Sequence, residues 1–168
     1  MRWLLLSIVL LTAACATMPP PLARGPFATV SQGEALTDSG RGLRVRWGGS
    51  IVATTPGEKE TCFEIIAHPL DRQGRPYASD TTAGRFMACA PGFYDPAVYR
   101  FGREVTVVGV IDEPRSGKIG AYTYQYPKLN AETVYLWPER PDRYWDDYYY
   151  YPDPFWYPYW PYYHRPWW

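Results

Sequence analysis

The sequence predicts an all-β domain. Three observations carry that reading: apolar and polar residues alternate at period two in several separate runs, no long helical period appears, and turn residues separate the runs. Residues 43–52 alternate and break at Gly48-Gly49, a glycine pair that inside a strand marks a bulge or a sharp coil. A turn at Thr55-Pro56-Gly57-Glu58 leads to a second strand around Thr61–Ile66, and Arg85–Cys89 makes a third. The polar stretch Asp71–Gly84 lies between these two, so that they can pair as a hairpin. Asp95 then caps a short helix that has Pro96 at its first position. Glu104–Ile111 is the most β-branched run, a loop with Pro114 and Gly117 follows, and Ala131–Trp137 is the last strand. Before the first strand, a helix over Ser31–Ser39 would set Ala35 and Leu36 on an apolar side with Phe27 and Val30.

The order is three strands, a short helix and two strands, with a long first strand bent at glycines. It matches the five-stranded Greek-key OB barrel. A β-sandwich with the same strands paired differently is the competing architecture.

The N-terminus is a different object. Met1-Arg2-Trp3 is a short positive segment, Leu4–Ala14 is apolar, and Leu11-Thr12-Ala13-Ala14-Cys15 has the form of a bacterial lipobox. The apolar run falls short of the ~20 residues that span a hydrocarbon core, so residues 1–14 read as a cleaved leader. Cys15 is then the acylated residue, its chains contributing ~0.8 kcal/mol per buried CH₂ to an anchor in the membrane. Ala16, where an Asp would resemble an inner-membrane retention signal, points to the outer membrane, with the periplasmic side as the default. Residues 15–30 read as the lipidated N-terminus and a proline-rich tether. The prolines of Thr17–Pro26 disfavour helix and favour polyproline II, which would hold the domain off the bilayer. The barrel domain is 31–140, and 141–168 is a tail.

Composition narrows the partners. Lys plus Arg number 17 and Asp plus Glu also 17, with no basic stripe, so a nucleic-acid surface is not expected. In an oxidising periplasm the remaining pair, Cys62 and Cys89, is read first as a disulfide. Two buried thiols are the alternative; a metal or redox site lacks Cys-x-x-Cys spacing and a histidine cluster.

A family resemblance emerges from residues spread in order along the chain. Arg46-Trp47-Gly48-Gly49-Ser50-Ile51-Val52, Glu64-Ile65, Pro69-Leu70-Asp71 and Gly84-Arg85-Phe86 carry its first half. Residues 92–99 (Gly-Phe-Tyr-Asp-Pro-Ala-Val-Tyr), Val107-Val108-Gly109 and Tyr126-Pro127 carry the second. Together with the lipobox, this set resembles the Slp family of starvation-inducible outer-membrane lipoproteins. The resemblance implies an outer-membrane lipoprotein linked to starvation or envelope stress. It implies no established activity and no catalytic residues. Cys62 and Cys89 lie outside its pattern.

Chemistry-bearing residues are sparse. His68 precedes Pro69 at a strand end and reads as structural; the other histidine is His164. Ser50, Ser79 and Ser116 lack a nucleophile context such as Gly-x-Ser-x-Gly. Asp80, Asp112 and Glu113 are not placed as a carboxylate pair across a cleft, and Asp112-Glu113 reads as a solvated turn. No metal or cofactor motif is present, and no enzymatic activity is expected.

The tail is unusual. From Tyr144 to Trp168, 15 of 25 residues are Tyr, Trp or Phe, interrupted by five prolines that block helix and central strand. It reads as disordered and aromatic. It is low-complexity chain with no dedicated role, or docks on the membrane interface or the barrel, or stacks on envelope sugars or a protein partner. Tyr144, Trp145, Trp156, Trp160 and Trp167 are the candidate interface residues, and Arg140, Arg143 and Arg165 could meet phosphates. The function expected is a non-enzymatic envelope structural or interaction module. The alternative is a small-ligand or glycan-binding carrier using the barrel face or the tail.

Overall fold

The computed structural model describes residues 17–141 apart from Ala78. Five strands close a barrel in the order β1-β2-β3-β5-β4: β1 Arg44–Pro56, β2 Glu60–His68, β3 Arg85–Pro91, β4 Glu104–Ile119 and β5 Tyr122–Leu136. All neighbours are antiparallel except β3 and β5, which run parallel over Met87–Cys89 and Lys128–Asn130. Closure of this Greek-key order is the OB architecture and excludes the sandwich pairing.

The alternation read from the sequence points its apolar residues inward. Val45, Trp47, Ile51, Phe63, Ile65, Phe86, Val105, Val107 and Leu129 share one buried core, with Trp47 edge-on to Phe86 at 5.4 Å between ring centroids. Tyr94 and Tyr99 pack on Phe63 from the β3–β4 connection.

The glycine pair does what a coiled first strand needs. Gly48 and Gly49 each pair with both β2 and β4, so β1 is shared between the two halves of the barrel. A Cβ on Gly49 would overlap the Ile66 carbonyl oxygen. The bulge itself falls slightly later, between Ile51 and Ala53.

Three local expectations change. The stretch read as a loop around Pro114 and Gly117 is strand: β4 and β5 run on together to a turn at Gly120, where φ is +60°. Pro114 sits in the bulge between Asp112 and Arg115, where no ladder donor is required. The ribbon beyond is largely solvent-exposed on both faces, so it carries no apolar alternation. The short helix at Asp95–Pro96 is one turn: Asp95 Oδ1 accepts from Ala97 N at 2.8 Å, and its carbonyl accepts from Val98 and Tyr99. Where the sequence predicts a helix over Ser31–Ser39, the chain forms two 3₁₀ turns, Glu34–Leu36 and Asp38–Gly40. Ser31 and Glu34 cap each other there, Glu34 Oε2 accepting from Ser31 N at 2.8 Å. These hydrogen bonds hold the Glu34 carboxyl below its ordinary pKa.

Candidate functional site

The segment read as a tether is strapped to the barrel. Pro20–Ala23 forms a single helical turn, α1, whose prolines occupy the first positions, where no backbone donor is needed. Leu22 from that turn is fully buried in a cluster with Val108 and Trp137, with Met18, Phe27 and Tyr135 packed around it. Arg46 Nη1 donates to the Leu22 carbonyl at 3.0 Å and meets Met18 Sδ at 2.8 Å. Arg44 donates to the Arg24 carbonyl at 2.7 Å, and both guanidinium groups lie over the Phe27 ring. Trp47 Nε1 donates to the Val30 carbonyl at 3.0 Å. Burial lowers the Arg46 pKa from its ordinary value.

The other end of the described chain arrives at the same place. Trp137 Nε1 donates to Thr106 Oγ1 at 2.9 Å, and Thr106 donates onward to the Gly74 carbonyl at 2.6 Å. Thr106 is fully buried, so this relay supplies hydrogen-bond partners within the protein to three polar groups. The Met18 methyl lies against Gly74, whose φ is +82°. Arg75 donates to the Pro138 carbonyl at 2.8 Å, and Arg140 to the Pro76 carbonyl at 2.8 Å. Both described chain ends therefore leave the barrel beside the loop Asp71–Tyr77.

At this pole a cleft of about 280 Å³ is lined by Arg75, Arg100, Arg103, Glu104, Trp137 and Arg140, together with Phe101 and Glu139. Glu104 receives Arg75 at 2.7 Å and Arg140 at 2.9 Å, and Glu139 receives Arg100 at 2.6 Å. Four arginines face two glutamates, an excess of two positive charges. Phe101 is 74% exposed, and Phe93 and Val98 in the same β3–β4 connection are also exposed. Of these, Phe101 lines the cleft itself.

Among the residues singled out from the sequence, Cys62 and Cys89 face each other directly across β2 and β3, with Cα atoms 4.0 Å apart and the two Sγ atoms bonded as a disulfide. His68 is bonded through Nδ1 to the Thr81 carbonyl at 3.1 Å. Asp112 and Glu113 stand on β4, not in a turn: Asp112 accepts from Lys128 at 3.0 Å, and Glu113 pairs with Arg41 at 3.2 Å. The Glu113 amide and Lys128 hold the Asp112 carboxyl below its ordinary pKa. Ser50 is on β1, Ser116 on the exposed ribbon, and Ser79 and Asp80 in the β2–β3 loop. Cys15, Arg143, His164, Arg165 and the interface candidates Tyr144, Trp145, Trp156, Trp160 and Trp167 lie outside the described residues. Arg140 lines the polar cleft. The rest of that cleft was missed, although Arg100-Phe101-Gly102-Arg103, an aromatic flanked by two arginines, was its signal. Among the described residues no helix is long and apolar enough to cross a membrane.

Comparison with known proteins agrees with the resemblance. Residues 12–167 match the model of the outer membrane lipoprotein Slp family. The chain is 29% identical over 138 residues to outer membrane protein Slp of Escherichia coli (strain K12), covering 80% of this chain and 73% of that protein. It is 33% identical over 135 residues to the uncharacterized lipoprotein YeaY of the same organism, covering 78% and 69%. Among solved structures, a small single-stranded DNA-binding protein from Streptomyces coelicolor shares 17% identity, at a TM-score of 0.37 over 56% of this chain and 94% of that one. With 156 of the 168 residues matched, the protein belongs to the outer membrane lipoprotein Slp family.

Proposed function

We propose that this protein is a non-enzymatic module of the cell envelope. Acyl chains on Cys15 anchor it in the outer membrane on the periplasmic side, and its barrel and aromatic tail contact envelope components. One observation carries the reading: Leu22 near the anchor and Trp137 before the tail are buried in one cluster, so both ends of the described chain lie at one pole. Anchor and tail then act on the same surface, and the aromatic rings, apolar with polar tips, suit a membrane–water interface. Production under starvation or envelope stress accompanies this role.

The test is capture of partners from crosslinked envelopes with and without residues 141–168. Loss of partners on truncation supports an interaction module, and an unchanged set removes the tail's role. A second reading, a carrier of a small ligand or glycan, draws on the cleft beside Trp137. Saturable binding of a small molecule, abolished by Trp137→Ala in a folded variant, would favour it.

A further inference from the structure

We propose that the pole formed by Asp71–Tyr77, Arg100–Glu104 and Trp137–Arg140 is the membrane-facing surface of the barrel, its arginines meeting the phosphates of anionic lipid headgroups and Phe101 entering the interfacial layer. The proposal rests on the reading that Cys15 carries the acyl chains. Three observations support it.

The first is reach. Three Cα steps of 3.80 Å separate Cys15 from Met18, at most about 11 Å of chain. Met18 is itself fixed against Gly74 and Arg46. A tether of that length keeps Met18 within about 11 Å of the acylated residue, so the pole bearing Met18 is the part of the barrel held nearest the membrane.

The second is charge. Arg75, Arg100, Arg103 and Arg140 outnumber Glu104 and Glu139 around the cleft, whereas the whole chain has a formal net charge of zero. The guanidinium groups of Arg100 and Arg140 are about half exposed and keep donors free for phosphate oxygens.

The third is the exposed aromatic. Phe101 sits between Arg100 and Arg103 in the cleft lining with three-quarters of its surface in water. A phenyl ring flanked by arginines is the side-chain pair that an interfacial layer accepts, ring toward the acyl boundary and cations at the phosphates. A protein partner or a second copy would be the competing occupant.

The experiment uses the full-length lipidated protein with Phe101→Cys carrying an environment-sensitive fluorophore. It is reconstituted on phosphatidylcholine vesicles with or without phosphatidylglycerol, in the presence of a lipid-borne quencher. Tyr122→Cys is the control, at the ribbon tip up to about 50 Å along β4 from Glu104. Quenching is expected at position 101, enhanced by phosphatidylglycerol and weakened by salt, and absent at position 122. Arg100→Gln and Arg140→Gln should each lower the docked-to-undocked ratio on anionic vesicles about fivefold. Circular dichroism of each variant checks the fold, and the salt series on the unsubstituted cleft needs no such check. Protein that floats with the vesicles while the label at 101 stays in water overturns this proposal and leaves the anchor intact. Equal quenching at both positions overturns it too, as does quencher-independent burial of the label that grows with protein concentration. Failure to float overturns the anchoring reading and this one with it.

Discussion

Leu22 and Trp137, one from each end of the described chain, are buried in a single cluster with Val108. A helix of one turn has no stability of its own, so α1 persists through this burial and the arginine bonds around it. Leu22→Ala should cost about 2–5 kcal/mol, the range for a buried leucine that leaves a cavity. Urea denaturation measures the loss, and trypsin should cut faster after Arg24. Unchanged cleavage there would mean that other contacts hold the segment.

The Trp137–Thr106–Gly74 relay gives a second prediction. Thr106→Val keeps the shape but leaves the indole N–H and the Gly74 carbonyl buried without partners, a cost of about 1–3 kcal/mol. Thr106→Ser restores the hydroxyl and should recover most of that loss. If the two variants melt together, packing and not the hydroxyl is what position 106 supplies.

The barrel was legible in the sequence because its strands are half-buried. In β2, Thr61, Phe63, Ile65 and Ala67 are inward and buried while the residues between them are not, so period two appears directly. The ribbon beyond Asp112 was not legible: its β4 strand is mostly exposed, and Pro114 and Gly117 look like loop wherever a strand has no buried face. The N-terminal strap failed for a related reason. One buried leucine in a proline-rich stretch carries no periodicity, and its partners Val108 and Trp137 are distant in sequence. The cleft is assembled the same way, from Arg75, Arg100 and Arg140 in three separate segments that only barrel closure brings together.

The cysteine pair closes a 27-residue separation, which in the chain-entropy model contributes about 3–4 kcal/mol. Replacing both residues, Cys62→Ser with Cys89→Ser, should lower stability by about that amount, read from the denaturation midpoint. Under denaturing, non-reducing conditions the protein taken from the cell envelope should give no thiol labelling at either position. Labelling at both would show that the bridge does not form in the cell.

Asp112 gives a pH dependence whose sign is fixed by its depressed pKa. Its ordinary value is 3.8, and the folded value lies lower because the Glu113 amide and Lys128 favour the carboxylate. Its contribution is therefore complete above about 3.8 and is lost as pH falls through the folded value. The side chain is one-third exposed, so solvent screening keeps the effect small. Asp112→Asn should destabilise the protein at neutral pH, and the gap from the unsubstituted chain should close below about pH 3.8. A gap that stays constant from pH 7 to the acid range would rule out the carboxylate as its source.

Gly49 is the position where barrel closure is most exposed to a single methyl group. It pairs with Ala67 on β2 and Val105 on β4, and a Cβ there would overlap the Ile66 carbonyl oxygen. The obstruction is backbone, which cannot swing aside as a side chain would, so β1 and β2 must separate locally. Gly49→Ala should therefore cost several kcal/mol, at the severe end for single substitutions, and reduce the yield of folded protein. Gly33→Ala is the matched control, since an added Cβ there meets nothing within 4 Å. Thermal unfolding of the two variants decides the matter. Equal midpoints would mean that β1 can shift at its coil without opening the barrel.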